Sequence, residues 1–373
     1  MYKDFLKSRT EELEIKYKVY KNKLTSILRN CEKKYYENLL IEQKNNIMGT
    51  WKVLNEVIKK RPQTNKLPET MVKDEINLNN MKDIVNGFNN FFVNIGPDLA
   101  EKIKAPADMT MYDTMGDTNI NTMFLNPVTE AEIIKIVNSF KNKNSTDYSH
   151  ISMMLLKRIV KYIATPLTFI CNLSFTEGAF PDSMKTAKIV PIFKSGDKKQ
   201  FTNYRPVALL PQFSKILERL FVNRLNTFID KYELLSNSQY GFRKKRSTSG
   251  ALMQITEEFT NTVEKRETTI DVYIDLKKAF DTIDHNILIK KLDWMGIRGT
   301  ANNWIKNYLE NRQQFVQCGE HKSDLLNVVC GIPQGSILGP KLFILYINDI
   351  CNVSTVKIHI VCRRQIFTRP ILI

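Results

Sequence analysis

The stretch Asp271-Val-Tyr-Ile-Asp275-Leu-Lys-Lys-Ala-Phe280-Asp-Thr-Ile-Asp-His285 decides how the rest of the chain is read. Val272 and Ile274 alternate with Tyr273 and Asp275, the period-two pattern of a strand with one buried face. Asp275 then stands at the C-terminal end of that strand, and Ile287, Leu288 and Leu292 open a helix-like run behind it. A carboxylate in that place can hold a hard divalent cation. It can equally cap the turn or helix that follows, and this stretch alone leaves both readings open.

Downstream lies Gly331-Ile-Pro-Gln-Gly335-Ser-Ile-Leu-Gly339-Pro340. Together the two stretches resemble the palm of the reverse transcriptases of non-LTR retrotransposons of the jockey kind. That family writes D-L-x-K-A-F-D-x-x-D-H, then G-x-P-Q-G-S-x-L-G-P. The resemblance covers residues 126–360 closely and 1–125 loosely. It implies an α+β right-hand polymerase: fingers and a partial palm, the palm a small antiparallel sheet backed by helices, preceded by a helical N-terminal extension. The implied activity is RNA-directed DNA polymerase, a nucleotidyltransferase that extends a DNA primer on an RNA template from deoxynucleoside triphosphates, with Mg²⁺ as cofactor. By the same resemblance Asp275 is the catalytic metal ligand and Phe280 the bulky aromatic under the sugar 2′ position. Gln334 and Gly335 contact the nucleotide, glycine letting backbone approach it closely. Pro340 starts the apolar helix Leu342 to Ile347.

Composition agrees with a nucleic-acid partner. The chain has 373 residues, 43% hydrophobic and 25% charged, with room for two or three domains. Lys+Arg outnumber Asp+Glu by 55 to 39, a net charge of +16, and such a surplus favours a polyanion over a membrane. The six cysteines (Cys31, Cys171, Cys318, Cys330, Cys351 and Cys362) have no C-x-x-C spacing and no partnered histidines. They read as reduced thiols of an intracellular protein, nuclear or cytoplasmic, without a zinc site. The most apolar stretch, Tyr162 to Phe175, carries Pro166 and is too short to span a bilayer, and no signal peptide opens the chain.

Taken in order, residues 1–62 are a basic helical segment. Tyr20, Leu24, Ile27, Cys31 and Tyr35 keep one helical stripe, Ile47, Trp51, Leu54 and Ile58 another, and Lys59-Lys-Arg-Pro62 stops it. Similar lysine-rich helices lie between endonuclease and polymerase in the resembling proteins; no endonuclease is expected in this chain. Residues 63–125 form a linker with one amphipathic helix, Met81 to Ile103, carrying Phe88, Phe91, Phe92 and Ile95 on one side. Thr129-Glu-Ala-Glu132 is a capping box opening a helix through Ile133, Val137 and Phe140. In Asp147-Tyr-Ser-His-Ile151, His150 is a loop residue standing where the family commonly has glycine.

Ala187 to Lys194 and Asn203 to Leu210 read as two strands joined by the lysine-rich turn Ser195-Gly-Asp-Lys198. A basic hairpin of this kind can fold over a triphosphate. By resemblance it belongs to the fingers, with Lys194 and Arg205 at triphosphate-contacting positions. Ser214 to Glu218 opens a helix whose Leu220, Phe221, Leu225 and Phe228 form a core stripe. Gln239-Tyr-Gly241-Phe242-Arg243-Lys-Lys-Arg-Ser-Thr248 sets four cations beside an aromatic at a glycine, which suits phosphates and base stacking. The resemblance makes Gln239, Gly241, Phe242 and Arg243 template-binding. Trp304, Tyr308, Leu309, Arg312 and Gln314 match a second family pattern and read as structural support.

The pattern breaks after Lys357-Ile-His-Ile360. The family there has a Y/F-A-D-D hairpin whose two aspartates complete a two-metal site with the first; this chain has Val361-Cys-Arg-Arg-Gln365. At about 5 Å and an effective dielectric of about 20, each unit charge counts for roughly 3 kcal/mol. Exchanging two carboxylates for two guanidiniums is therefore expected to abolish the Mg²⁺ pair. Val-Cys-Arg-Arg-Gln can be encoded GTA TGC AGA CGA CAA, and one base later the same text reads Tyr-Ala-Asp-Asp. Residues 361–373 are accordingly expected to be a frameshifted tail, the thumb absent and the polymerase truncated and inactive. The alternatives are a non-catalytic nucleic-acid-binding remnant and a polymerase of related lineage such as an intron maturase.

Overall fold

The computed structural model of the chain describes residues 10–44, 46–57, 67–73, 76–102, 115–142, 146–149, 151–353, 357–361 and 364–371. It divides into two units, residues 1–66 and 67–373.

In the first unit, helix α1 (Glu11–Glu42) opens with Glu11, Glu12 and Glu14, carboxylates set against the positive end of the helix dipole. Lys16 and Lys18 pair back to Glu12 and Glu14 one turn away, at 2.7 Å each. Helix α1 buries none of its residues, and the stripe Tyr20, Leu24, Ile27 and Tyr35 is exposed. Helix α2 (Ile47–Val57) buries Val53 and leaves Ile47 and Trp51 exposed. Ile58 and the Lys59–Pro62 stop lie outside the described residues.

The linker expected over 63–125 is corrected in two places. Strands β1 (Met71–Lys73) and β2 (Ile76–Leu78) form an antiparallel hairpin inside it, with Met71 fully buried. Helix α3 (Met81–Ala100), capped by Asn80 accepting from the Lys82 N–H, buries Ile84, Val85, Phe88, Phe92 and Ile95. These residues share a core with Ala187, Ile189, Phe201, Tyr204, Ala208 and Val316. Further on, the Asn119 and Met123 N–H groups donate to Trp294 O and Gly296 O at 3.1 and 2.9 Å, and Met123 is buried. A polar composition misleads here because a few apolar side chains, correctly spaced, are enough to bury the segment.

Helix α4 (Glu130–Ser139) starts as its capping box requires, the Thr129 hydroxyl accepting from the Glu132 N–H at 3.3 Å. Helix α5 (Met153–Glu177) is longer than expected. Pro166 lies inside it, and by length and composition the helix could cross a membrane, which corrects the shorter stretch read from sequence. It buries Leu156, Val160, Leu167, Cys171 and Phe175 in the main core, and packing on both sides of Pro166 outweighs the lost hydrogen bond. Burial pushes the Cys171 thiol up to about 12. His150 lies outside the described residues.

Strands β3 (Thr186–Phe193) and β4 (Tyr204–Leu209) form the expected antiparallel hairpin. Helix α6 (Gln212–Lys231) buries Leu220, Phe221, Leu225 and Phe228, and the buried Asp147 carboxylate accepts from the Gln212 N–H at 3.0 Å. Helix α7 (Thr248–Glu264) precedes β5 (Thr268–Asp275), and helices α8 (His285–Trp294) and α9 (Thr300–Leu309) follow. Strand β6 (Gln313–Cys318) runs parallel to β3, while β7 (His321–Lys322) and β8 (Leu326–Asn327) pair with β6. Helix α10 (Gly339–Tyr346) has Pro340 in its first turn. Strands β9 (Lys357–Val361) and β10 (Arg364–Ile371) complete a second sheet of order β5-β10-β9.

The main core gathers α4, α5, α6, α8, α9 and α10 with Ile358 and Ile360. Trp304 stacks on Phe221 and Tyr308, centroids 4.2 and 5.8 Å away, and its Nε1–H donates to Ser174 Oγ at 2.9 Å. Trp304, Tyr308, Leu309, Arg312 and Gln314 are all buried, so that motif is structural. One expectation fails at β5. Val272 and Ile274 are 50% and 40% exposed and Asp275 is exposed too, so the alternation does not produce a buried face. β5 is an edge strand of its sheet, and the alternation finds too little packed against it.

Candidate active site

Two loops meet behind Asp275. The turn after β5 is pinned by the Asp281 N–H on Lys278 O (2.8 Å), and Asp284 caps α8 by accepting from the Ile287 N–H (2.9 Å). The Gly331–Gln334 loop docks on it through Gly331 N–H to Ile283 O and Ile332 N–H to Phe280 O, both 2.8 Å. His285 Nε2 lies 2.7 Å from Gly331 O, and burial holds the imidazole below its ordinary pKa. Gly331 has φ +77°, and a Cβ there would sit 2.8 Å from Asp281 O, so only glycine lets the loops touch.

Gly335 is exposed, with φ +136°, and a Cβ there would fall 2.5 Å from Ala208 O, so within the fold its close approach is to β4. The Ala208 N–H donates to Gln334 O at 2.8 Å, fastening the loop to the basic hairpin. Gln334 is likewise tied down: its Nε2 lies 2.7 and 2.8 Å from the two carboxylate oxygens of Asp281. Burial pushes the Asp281 carboxyl above its ordinary range, opposed by Gln334 and by the charge of Lys278. A cavity of about 50 Å³ borders Asp281, Gln334, Cys330, Arg312, Ala208 and Phe92.

The structure brings the hairpin cations to the same turn. Lys194 and Arg205 are exposed, at the end of β3 and on β4. Half-buried Lys278, in a left-handed conformation at φ +54°, has its Nζ 5.9 Å from the Phe91 ring centroid. Burial lowers its pKa; Asp281 opposes this, while the charges of Lys194, Arg205 and Lys277 lower it further. Lys278 was visible in the opening motif but carried no role there. Among like charges it becomes the innermost member of a four-cation cluster.

Phe280 is partly buried, stacked on Phe343 (4.9 Å) and edge-on to Phe242 (6.1 Å). Phe242, at φ +53°, is 40% exposed, and Lys341 Nζ donates to its carbonyl at 3.0 Å. Arg243 Nη1 donates to Ser236 O at 2.7 Å, while Lys244, Lys245 and Arg246 are exposed. Gln239 and Gly241 are buried, which corrects their assignment to the template. The segment holding Gln239 adds to β9 through Tyr240 N–H to Ile360 O and Ile360 N–H to Ser238 O, both 2.9 Å. That pairing draws the Gln239 side chain inside, where neither amide atom has a hydrogen-bond partner among the described residues.

A third carboxylate escaped sequence reading. Glu218 on α6 is fully buried and accepts from Ile337 N–H (2.6 Å), Leu338 N–H (3.2 Å) and Ser214 Oγ–H (3.0 Å). It caps the entry to α10, and burial pushes its pKa up. Its only sequence signal is a charge within an apolar stripe.

The strand beside Asp275 begins with Arg364, in register with it. Among the described residues no group of three His, Cys, Asp or Glu side chains could hold a metal ion.

Residues 196–363 match the family described as reverse transcriptase (RNA-dependent DNA polymerase). The chain is 31% identical over 231 residues to a probable RNA-directed DNA polymerase from transposon BS of Drosophila melanogaster, covering 61% of this chain and 25% of that protein. It is 26% identical over 282 residues to the RNA-directed DNA polymerase from mobile element jockey of the same fly, covering 75% and 29% respectively. The jockey protein of Drosophila funebris is 29% identical over 231 residues, 62% of this chain and 25% of that one. The chain thus spans about a quarter of the length of these relatives. The motifs, the mixed fold and these matches agree that residues 196–363 carry a reverse transcriptase domain, similar to those of non-LTR retrotransposons.

Proposed function

We propose that this chain is the fingers and partial palm of an RNA-directed DNA polymerase that binds template, primer and deoxynucleoside triphosphate but does not join them. The observation that carries this reading is the fastening of the basic hairpin to the turn after Asp275, through Ala208 N–H to Gln334 O and Gln334 Nε2 to Asp281, which sets Lys194 and Arg205 among the charges acting on Lys278. Lysine point charges and an arginine fork suit a triphosphate. Phe280, held by Phe343 and Phe242, lies five residues after Asp275 and limits the space beside the sugar. Arg243, the exposed cations to Arg246 and the partly exposed ring of Phe242 suit a strand of RNA, through phosphate contacts and stacking.

In the family, two-metal nucleotidyl transfer joins the primer hydroxyl to the α-phosphate. No such step is drawn through this chain, because Val361–Gln365 offers no carboxylate to accompany Asp275. That observation also supports the second reading, a non-catalytic RNA-binding remnant. Primer extension on an RNA template, run beside RNA binding and deoxynucleotide binding by the same preparation, separates the two, because the remnant binds RNA but no deoxynucleotide. Binding without incorporation is the expected result. Incorporation by the chain as written overturns the inactive reading, and absence of both overturns the polymerase reading altogether.

A further inference from the structure

Gln334 reaches the nucleotide site from a loop, yet its amide is not free to turn. Both oxygens of Asp281 lie on its Nε2, at 2.7 and 2.8 Å. An ionised carboxylate only accepts hydrogen bonds, so the amide nitrogen and not the oxygen must face it. The carbonyl Oε1 then points away from Asp281, and among the described residues no donor reaches it. The Asp281 end is equally fixed, by its own N–H on Lys278 O and by the docking of Gly331 and Ile332 on Ile283 and Phe280. Gln334 O is held by the Ala208 N–H of the cationic hairpin.

We propose that Asp281 is a positioning residue of the nucleotide site: it locks the Gln334 amide so that Oε1 alone is offered, and the site therefore accepts a hydroxyl or amino donor of the incoming deoxynucleotide. The inference rests on the polymerase reading above. It differs from a simple strut between two loops, because a strut requires only that the two side chains stay bonded and assigns no role to the direction in which Oε1 is left. Asp281→Asn makes that distinction. The carboxamide of that variant can still bond Gln334, but in either orientation, so the contact survives while the lock is lost.

The test is equilibrium binding of dGTP to the full chain held on a primed RNA hairpin, with the thermal midpoint measured alongside. Asp281→Asn is expected to keep its midpoint and weaken dGTP about fivefold, the size of one net hydrogen bond. Gln334→Ala should weaken it by a similar factor, and the double variant no further than either single, since Asp281 acts through Gln334. Unchanged affinity in Asp281→Asn or Gln334→Ala, or losses that multiply, overturns the proposal. If Asp281→Asn does not fold, side-chain amide exchange in the unaltered chain decides: both Nε2 protons should stay protected when dGTP binds, and their release counts against the lock. Lys194→Ala with Arg205→Ala is the control. Binding that depends on those cations but not on Asp281 sinks only this inference. A chain that binds no dGTP, or binds it without regard to them, sinks the polymerase reading as well.

Discussion

Arg364, the first residue of β10, is the direct cross-strand partner of Asp275, the last residue of β5. The same residue pairs with Val361 across the β9–β10 hairpin. The strand end at which the family's hairpin would bring two more carboxylates is therefore paired with Asp275, and the sequence there reads Val361-Cys-Arg-Arg-Gln365. As written, the chain should show no template-directed synthesis with Mg²⁺ or Mn²⁺. A one-base change just upstream of codon 361 should restore Tyr/Phe-Ala-Asp-Asp and open a longer frame. Incorporation by that product, reduced to background by Asp275→Asn, is the expected outcome. A shifted frame without an Asp-Asp pair would end the frameshift account.

RNA binding should not need the missing carboxylates. The chain carries +16 net charge, and Lys244, Lys245 and Arg246 are exposed beside Phe242. Affinity for single-stranded or primed RNA should fall by at least about tenfold between 50 and 200 mM salt, from released counterions. Filter binding at the two salt concentrations measures it, and a flat response would argue against phosphate contacts.

Phe280 is braced by Phe343 at 4.9 Å and by Phe242 at 6.1 Å, which fixes its ring as a wall. In a frame-restored product, Phe280→Ala should relax discrimination against ribonucleotides by about tenfold or more, read as the ratio of kcat/KM values for dNTP and rNTP. Unaltered discrimination would remove Phe280 from the sugar site.

Glu218 gives a pH signature of stability. Burial raises its folded pKa, so the folded chain takes up a proton before the unfolded chain does as pH falls. This contribution is absent at high pH, grows as pH drops through the raised value, and is complete below the ordinary carboxylate range. Glu218→Gln should flatten that rise in urea unfolding measured from pH 8 down to 5. Glu218→Ala should destabilise by about 2 kcal/mol, because Ile337, Leu338 and Ser214 lose their acceptor.

Elements with a clean period were legible without coordinates. The 186–209 hairpin, the Leu220–Phe228 stripe and the buried Trp304–Gln314 pattern stand as read, because alternation or helical spacing maps directly onto burial. Residues 67–78 were misread as linker because composition hides a few well-placed apolar side chains, Leu67 and Met71 above all, whereas the helix carrying Phe88 was read. Gln239 was misread for a different reason: a polar residue in a basic motif was drawn inside by main-chain pairing with Ile360. Asp281, Lys278 and Glu218 escaped because their roles are set by partners from 53 to 120 residues away or by other elements, and no local pattern announces such contacts.

The parallel pairing of Thr186–Ile189 with Gln313–Val316 bears on the order in which the molecule can assemble. During synthesis the 186–209 hairpin emerges long before its neighbour, so one side of the 186–193 strand stays raw until residue 316 has left the ribosome. Helix 81–100 waits too, since Asn89 bonds Gln314 and Asp324. An unpaired apolar strand is a template for joining another chain. A nascent polypeptide halted before residue 313 should therefore be captured by chaperones or aggregate, whereas one released after residue 327 has its first sheet closed.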